Sequence, residues 1–250
     1  MIRLLKNIYL VVLIIFLVPL SAKVQASGEV SITYRGKEQK VIYNFYVPPL
    51  EVDQPMPVLV CVGGLQTKDD QYIHSDPREC FDERWYQFAE ENQIAILGLG
   101  FLFVPEDWKR DASYQHPAAW SGKALLKILK QLSQEFPIDQ KEIYLFGISA
   151  GAQFSIRFAQ MKPSLAKAVA AHAGGGYDWP KRHIPTKFLI TVGELDNADI
   201  TRVEMAQAFE HKAKEKGIDI QLKIILDIGH IQTEEQNEMS RQFFKEALRR

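Results

Sequence analysis

The pattern of apolar and polar positions predicts that strands and helices alternate along most of this chain. Continuous apolar runs are typical of strands buried on both faces of a sheet. Apolar residues that recur every three or four positions are typical of amphipathic helices. The predicted strands span 30–34, 41–47, 58–62, 94–99, 143–146, 168–171, 187–192 and 220–226. The predicted helices span 81–92, 120–135, 150–161, 200–216 and 233–248.

Turn and cap residues divide these segments. Residues 35–37 (Arg-Gly-Lys) predict a hairpin between the first two strands, and Pro48 and Pro49 end the second strand. Gly217 is expected to end the 200–216 helix as its C-cap, and Thr233 to begin the last helix as its N-cap. A hairpin followed by alternating strands and helices predicts an α/β fold, with a mostly parallel central sheet and helices on both faces.

Residues 1–26 are predicted to be a secretory signal peptide. Arg3 and Lys6 give a positive start, an apolar run covers 8–20, and 24–26 (Val-Gln-Ala) is a small-x-small cleavage signature. The alternative is an uncleaved membrane anchor, but the apolar run is short for a bilayer span. We expect export to the periplasm or the medium, with no stable membrane span after cleavage.

The remaining residues, 27–250, fit one catalytic domain. The apolar content of 46% and the charged content of 24% are ordinary for a globular protein. The formal net charge of −1 gives no electrostatic reason to expect binding to nucleic acid or to an anionic membrane surface. No spacing of cysteine and histidine resembles a metal site, so no metal is expected.

Cys61 and Cys80 are the two cysteines of the chain. An oxidising compartment would permit a disulfide between them. Cys61 lies inside a predicted apolar strand, where a cysteine is more often a small buried hydrophobic residue. The favoured interpretation is therefore two separate thiols, with a disulfide as the alternative.

The segment 147–151 (Gly-Ile-Ser-Ala-Gly) falls between a predicted buried strand and a predicted helix. A serine among small residues at such a turn is typical of a nucleophile elbow. The turn is so sharp that larger neighbouring side chains would collide, and Gly147, Ala150 and Gly151 remove them. The pattern predicts a nucleophile at Ser149; the alternative is a small-residue turn that only joins a strand to a helix.

A nucleophilic serine needs a base, and the base needs a carboxylate that orients it. In elbow-containing folds the acid follows a later strand, and the histidine follows the last one. His230 follows the last predicted strand, and Asp196 lies in the turn after the strand before it. We therefore predict that Ser149, Asp196 and His230 act together. Glu194 is the main alternative for the acid, and Asp199 is a more distant one.

The other histidines fit the role of base less well. His172 closes a predicted strand, where a packed or hydrogen-bonded histidine is the favoured interpretation. His211 lies on a charged helix and is expected to be solvated. His74, His116 and His183 lie in loops before the required position or far from it.

Acyl transfer also needs an oxyanion hole of two backbone N–H groups. Ala150 directly follows the nucleophile at a helix N-terminus, so its N–H is expected to be one donor. The second donor is expected from the loop after strand 58–62, at Gly64 or Leu65. Glycine there lets the backbone approach a substrate oxygen closely; the alternative is a tight turn with no catalytic role.

With these motifs the chain resembles the α/β-hydrolases over residues 30–250. Within that superfamily it is most similar to compact secreted esterases related to polyhydroxybutyrate depolymerases and feruloyl esterases. That narrower likeness lies in 137–139 (Pro-Ile-Asp) and in 147–151. The resemblance implies an α/β-hydrolase fold and a serine carboxylic-ester hydrolase that uses the three residues named above as its triad. It implies no cofactor, and a small-molecule or polymeric ester as the substrate.

Two loops of the predicted fold are rich in aromatic residues, which either line an apolar substrate pocket or pack the loops down. Packing is the favoured interpretation for any single residue. The aromatic residues are Phe101, Phe103, Trp108, Tyr114 and Trp120 in one loop and Tyr177 and Trp179 in the other. Loops 65–80 and 101–117 are long, but neither is long enough for a cap domain. A serine peptidase, an acyltransferase and a non-catalytic secreted binding protein remain the alternative functions.

Overall fold

The computed structural model describes residues 24–49, 51, 54–69, 72–108, 111–196 and 201–249. The strands are β1 Val24–Tyr34, β2 Lys37–Val47, β3 Met56–Val62, β4 Gln66–Asp69, β5 Tyr72–His74, β6 Ala95–Phe103, β7 Ile138–Ile148, β8 Ala166–His172, β9 Lys187–Gly193 and β10 Ile220–Ile225. The helices are α1 Glu83–Asn92, α2 Pro105–Trp108, α3 Ser121–Glu135, α4 Ala150–Met161, α5 Arg202–Glu215 and α6 Glu234–Leu248. Each predicted strand and helix is present, and several strands extend further than their apolar runs.

The main sheet has the strand order β1-β2-β6-β3-β7-β8-β9-β10. The strands from β6 to β10 in this order are parallel to their neighbours, whereas β1 and β2 are antiparallel additions at one edge. The prediction of a mostly parallel sheet is therefore confirmed. Because parallel strands end at the same edge, the loops after β3, β7, β8, β9 and β10 all begin at one edge of the molecule.

Helices cover both faces of the sheet, as predicted. One apolar cluster joins α3, α4 and α5 to one face, and a second joins α1 and α6 to the other. Successive residues of the central strands alternate between the clusters: Val60 and Val62 of β3 belong to the first, and Leu59 and Cys61 to the second. This alternation explains why the central strands are apolar throughout.

The predicted hairpin turn and the N-cap of the last helix are confirmed, whereas the C-cap of α5 is Lys216 and Gly217 lies one residue beyond it. Arg35 and Gly36 both have positive φ angles, 51° and 77°, as a two-residue hairpin turn between β1 and β2 requires. Gly217 follows α5 with a φ angle of 67°, in the left-handed region that commonly ends helices. Thr233 caps α6 through its side chain, which accepts from the backbone N–H of Gln236.

The two long loops contain short elements that the apolar pattern does not predict. β4 and β5 form an antiparallel pair, and β5 also pairs with the end of β6. The helix α2 is a single turn. Their residues do not alternate over enough positions to give a periodic signal. Neither loop contains a cap domain within the described residues.

Cys61 and Cys80 form a disulfide, with 6.2 Å between their Cα atoms. The prediction of two separate thiols is therefore wrong. Cys61 points from β3 to the face that α1 covers, and Cys80 lies just before α1, so the two buried sulfur atoms meet under that helix. The sequence places Cys61 in the core correctly, but it does not indicate which residues lie beside it.

The predicted signal peptide lies almost wholly outside the described residues. Val24, Gln25 and Ala26 are described, and they pair with β2 as part of β1. Cleavage after Ala26 would thus remove three paired residues, so the sequence-based expectation that the first strand begins later, at residue 30, is wrong. Among the described residues, no helix combines the length and the apolar character that crossing a membrane requires.

Candidate active site

Ser149 occupies a sharp turn between β7 and α4. Its φ and ψ angles are 53° and −115°, a strained conformation for a residue with a side chain. A Cβ atom on Gly147 would collide with the backbone of Gly151, and one on Gly151 would collide with the carbonyl oxygen of Val62. The glycines on both sides are therefore required by close backbone packing, as the elbow pattern predicts.

The backbone N–H of Ser149 is hydrogen-bonded, whereas the first N–H groups of the helix that follows have no partner within that helix. The Ser149 N–H donates to the carbonyl oxygen of His172 at 2.8 Å. The first hydrogen bond of α4 runs from the Gln153 N–H to the Ser149 carbonyl oxygen at 3.2 Å. The N–H groups of residues 150–152 therefore have no acceptor within their own helix. The positive end of the helix dipole lies at this point as well.

Ser149, His230 and Asp196 form a chain of hydrogen bonds. The distance from His230 Nε2 to Ser149 Oγ is 3.0 Å, and that from His230 Nδ1 to Asp196 Oδ2 is 2.9 Å. A carboxylate only accepts, so Nδ1 carries the hydrogen and Nε2 is free to accept from the serine hydroxyl. The Asp196 side chain is completely buried, whereas that of His230 is 37% exposed. This arrangement can move a proton from the serine to the imidazole.

The structure brings Asp196, rather than Glu194, to His230. Glu194 is exposed, and its carboxylate accepts from the backbone N–H of Asp227 at 3.3 Å. Asp199 lies outside the described residues. In the part of the chain that the structure describes, no group of three or more histidine, cysteine, aspartate or glutamate side chains could hold a metal ion.

Arg202 also contacts this site, which the sequence does not indicate. Its Nη1 donates to Asp196 Oδ1 at 2.7 Å, so the carboxylate lies between a guanidinium and an imidazole. Arg202 is the first residue of α5, where the helix dipole disfavours a positive charge. That unfavourable position is the one signal in the sequence, and it is visible only after the start of the helix is known.

The loop after β3 lies directly beside Ser149. A Cβ atom on Gly64 would lie 3.4 Å from Ser149 Cβ, so the backbone of Gly64 is next to the nucleophile. Leu65 follows with an exposed side chain. The Tyr114 hydroxyl donates to the Gly63 carbonyl oxygen at 3.1 Å and holds the loop from below. Burial raises the pKa of Tyr114, so the hydroxyl keeps its proton.

The chain switches direction at this loop. From β3 it passes to β6 on one side and later to β7 on the other. Ligands of open α/β sheets bind in the crevice at such a switch point, outside the carboxyl ends of the strands. Gly64 after β3 and Ser149 after β7 lie on the two sides of that crevice.

Glu79 lies behind the same loop and was not singled out from the sequence. Its Oε1 accepts from Gln232 Nε2 at 3.2 Å, and its Oε2 lies close to Gly63. Burial raises the pKa of Glu79, an effect that the hydrogen bond from Gln232 partly offsets. Glu79 thus links the loop after β3 to the segment that follows His230.

His172 is buried beneath Ser149 in a network of neutral groups. Its Nδ1 lies 2.6 Å from Thr191 Oγ1, and its Nε2 lies 2.7 Å from Ser240 Oγ. Burial lowers the pKa of His172 to about 3. The interpretation of His172 as a hydrogen-bonded core residue is therefore confirmed. His211 is exposed on α5 and pairs with Glu215, as expected for a solvated position.

Most of the aromatic residues pack the loops down, as favoured. Phe101 stacks on Tyr114 and contacts Trp120 edge-on, and all three are buried. Trp179 is the exception, with 51% of its surface exposed. It lines a cavity of about 940 Å³ together with Arg157 of α4. Arg157 lies eight residues beyond Ser149, which is roughly 12 Å along the helix, so this cavity is apart from the hydrogen-bonded chain.

No family model matches this sequence, and no curated protein sequence matches it either. Solved structures do match. An S-formylglutathione hydrolase from Agrobacterium tumefaciens aligns with a TM-score of 0.65 and 15% identity over 91% of this chain and 95% of its own. An S-formylglutathione hydrolase from Staphylococcus aureus has a TM-score of 0.60 and 14% identity, over 90% and 97% of the two chains.

A further match is the CE1 ferulic acid esterase of Anaeromyces mucronatus, solved with ferulic acid. It has a TM-score of 0.59 and 14% identity, and covers 90% of each chain. These three proteins each cover about nine tenths of this chain. The chain therefore has the α/β-hydrolase fold, as its motifs predict.

Proposed function

We propose that this α/β-hydrolase cleaves carboxylic esters through an acyl-enzyme intermediate, with Ser149 as nucleophile, His230 as base and Asp196 as the orienting acid. The observation that carries the proposal is the hydrogen-bonded chain from Ser149 Oγ through both nitrogens of His230 to Asp196 Oδ2. It lies at the carboxyl edge of the sheet, where its three members follow β7, β10 and β9. Solved esterases with the same fold support it.

In this mechanism His230 Nε2 takes the hydroxyl proton of Ser149 as Oγ attacks the ester carbonyl carbon. The tetrahedral intermediate collapses, and the imidazolium gives its proton to the departing alcohol. Water then repeats the sequence on the acyl-enzyme and releases the acid. Asp196 holds the Nδ1–H tautomer of His230 and stabilises the imidazolium that forms twice in each cycle.

We further propose that the N–H of Ala150 and an N–H of the loop at Gly64 or Leu65 bind the oxyanion. Ala150 is the first residue of α4, where the N–H has no acceptor in the helix and the dipole favours a negative charge. The backbone of Gly64 lies against Ser149 from the opposite side. Two donors in these positions would stabilise the charge that develops on the carbonyl oxygen.

Exposed apolar side chains next to the proposed catalytic residues favour an apolar acyl or aryl group. Leu65 follows Gly64, Leu195 precedes Asp196, and Ile231 follows His230; all three are exposed. Removing such side chains from water favours binding by roughly 25 cal/mol per Å² of apolar surface. A substrate whose apolar part lies across them would place its ester carbonyl over Ser149.

The proposal is tested by labelling the protein with a fluorophosphonate and by assaying p-nitrophenyl esters of graded acyl length. Ser149→Ala should abolish labelling and reduce kcat by several orders of magnitude, because the variant lacks the hydroxyl that is proposed to form the acyl-enzyme. Ser164→Ala is the matched control: Ser164 is exposed in the turn after α4, and its loss should leave both signals unchanged. Turnover at the wild-type rate in a clean Ser149→Ala preparation would refute the proposal.

The same measurements separate the alternative functions. A serine peptidase would also be labelled, but it would cleave peptide amides in addition to esters, whereas an esterase would leave the peptides intact. An acyltransferase would give a new ester or amide when an acceptor alcohol or amine is supplied. A non-catalytic binding protein would be neither labelled nor active.

We also propose that residues 1–26 direct export and that the mature chain begins at Ser27. The charged start, the short apolar run and the Val-Gln-Ala signature support this. A buried disulfide is also typical of proteins that fold in an oxidising compartment. N-terminal sequencing of the exported protein should find Ser27 or a neighbouring residue; a chain that starts at Met1 in the membrane fraction would mean that the segment is an anchor.

A further inference from the structure

Arg202 and His230 bind opposite oxygens of the same carboxylate. Arg202 Nη1 lies 2.7 Å from Asp196 Oδ1, and His230 Nδ1 lies 2.9 Å from Asp196 Oδ2. The Asp196 side chain is fully buried, and the Arg202 side chain is only 19% exposed. The carboxylate therefore has a permanent cation at one oxygen and the imidazole at the other.

The ion pair between Arg202 and Asp196 is largely buried, unlike an ordinary surface salt bridge. A buried carboxylate loses its hydration and favours the protonated form unless an opposite charge or hydrogen bonds compensate. A guanidinium stays charged at any ordinary pH, so it supplies that compensation permanently. Arg202 also holds Oδ1 in place, which leaves Oδ2 directed at the imidazole.

We propose that Arg202 is a positioning residue that sets the acidic limit of activity by keeping Asp196 ionised and by opposing the protonation of His230. This inference rests on the proposed ester hydrolysis, because it concerns the same three side chains. It gives α5 a role in catalysis through Arg202, in addition to the roles of Ser149, His230 and Asp196.

Two effects of Arg202 act in the same direction. Its charge cancels part of the negative potential that Asp196 creates at His230, so the imidazolium is less favoured. Its charge also makes protonation of Asp196 itself less favourable. Because the active form needs a neutral His230 beside an ionised Asp196, both effects extend activity to lower pH.

The other ionisable groups around Asp196 do not replace this charge. Tyr177 packs nearby; burial and, to a lesser degree, the charge of Asp196 raise its pKa, so it stays neutral. Its hydroxyl donates to the Gly174 carbonyl oxygen. Glu194 and Asp227 are exposed on the neighbouring turns, and Glu204 is exposed on the first turn of α5. All three are acidic, so Arg202 is the cation that the described residues place against this carboxylate.

The test compares kcat/KM as a function of pH for the wild type, Arg202→Met and Arg202→Lys. In Arg202→Met we expect the pH of half-maximal activity on the acid side to rise by about one unit, the size expected for loss of one charge a few ångströms from the site. Arg202→Lys keeps the charge and should remain within about 0.3 unit of the wild type. The plateau kcat should fall in Arg202→Met, while KM changes little, because Asp196 is held less firmly.

Arg241→Met is the matched control. Arg241 is also largely buried and pairs with carboxylates, those of Glu234 and Glu238, but it lies over Trp85 on the α1 and α6 face. Its loss should lower the stability of the fold but leave the pH of half-maximal kcat/KM on the acid side unchanged. An unmoved acid limb in Arg202→Met, or an equal shift in Arg202→Lys and Arg202→Met, would overturn the proposal.

Two further measurements keep this outcome separate from folding and from the proposed function. If Arg202→Met does not fold, Arg202→Gln retains a hydrogen-bond donor without the charge and should show the same upward shift. An NMR titration of the His230 ring reports its protonation without turnover, and its midpoint should rise in the uncharged variants. If the wild type neither reacts with fluorophosphonate nor cleaves esters, the proposed function alone is refuted. If the wild type is active but the His230 titration has the same midpoint in the wild type and in the uncharged variants, the role of Arg202 alone is refuted.

Discussion

His172 and His230 both contact Ser149, one through its backbone and the other through its ring, and their rings have opposite surroundings. His172 is completely buried, and its carbonyl oxygen accepts from the Ser149 N–H. Both of its ring nitrogens hydrogen-bond to hydroxyl groups, and the Phe146 ring packs against it. The His230 ring is partly exposed and lies between a hydroxyl and a carboxylate. The difference lies in whether a positive charge on the ring would meet a negative partner.

The hydrogen bonds around His172 have one consistent direction. Ser240 donates to the Gln236 carbonyl oxygen, so its oxygen must accept from His172 Nε2–H. Gln236 Nε2 donates to Thr191 Oγ1, which leaves the threonine hydroxyl to donate to His172 Nδ1. A second proton on the ring would displace the threonine donor and place a charge among neutral groups. His172 therefore stays neutral, whereas a proton taken up by the His230 ring would meet the carboxylate of Asp196.

Replacing His230 should reduce activity more than any other change considered below. His230→Gln should reduce kcat by at least about 10⁴-fold, because the serine loses its base. Its stability should fall by only about 1 to 2 kcal/mol, because the buried Asp196 carboxylate loses its hydrogen bond to the imidazole but keeps the one to Arg202. His211→Gln, at an exposed position on α5, is the control and should match the wild type in both ester hydrolysis and urea unfolding. A His230→Gln variant with more than a tenth of wild-type kcat would contradict the assignment.

The second expected effect concerns the carboxylate that makes His230 differ from His172. Asp196→Asn should reduce kcat by roughly 10³- to 10⁴-fold, since an amide can donate to Nδ1 and favour the wrong tautomer. Glu194→Gln should stay within about twofold of the wild type, because Glu194 contacts a backbone N–H on the surface. Steady-state measurement of kcat for the two variants tests this. A larger loss of kcat in Glu194→Gln than in Asp196→Asn would identify Glu194 as the orienting acid.

The smallest expected effect concerns how the stability of the fold depends on pH through His172. The pKa of this ring falls from 6.5 to about 3 on folding, so below pH 6.5 the unfolded chain takes up a proton that the folded protein refuses. The contribution of His172 to the free energy of unfolding should therefore fall as pH drops below 6.5, with a slope that approaches about 1.4 kcal/mol per pH unit, and it should be constant above that range.

His172→Gln isolates this contribution. The variant should be about 2 to 3 kcal/mol less stable than the wild type at pH 8, because it loses buried hydrogen bonds and leaves partners unpaired. The difference should narrow as pH falls from 6.5 to 5, since the glutamine does not titrate. Urea unfolding at several pH values measures it; a difference that stays constant over this range would mean that His172 does not resist protonation.

The sequence predicts those parts of the site that follow from the order of elements along the chain. Ser149, Asp196 and His230 each come directly after a strand of a parallel sheet, and such strands end at one edge. Knowing the strands is therefore enough to bring the three residues to the same region. The choice of Asp196 over Glu194 also depends on local geometry, because the offset from the end of β9 decides which carboxylate turns inward.

Features that depend on how separate elements and turns are placed against one another were not predicted. The disulfide needs the register of β3 against the segment before α1, and the contact of Arg202 needs the start of α5 relative to the turn at Asp196. The extra length of β1 has a similar cause: Val24, Gln25 and Ala26 are held in the sheet by their pairing with β2, and no apolar run extends that far.

The bond between Cys61 and Cys80 gives the molecule a closed covalent ring of about twenty residues, and such closure stabilises a fold by roughly 3 kcal/mol. The ring contains the loop at Gly64 that lies beside Ser149, and the β4–β5 hairpin. A protease that cuts one peptide bond inside this ring leaves both fragments joined through sulfur. In denaturing gel electrophoresis, a protein nicked there would migrate as one band without reductant and as two fragments after the disulfide is reduced. Damage at that hairpin would therefore not by itself separate the loop beside Ser149 from the rest of the enzyme.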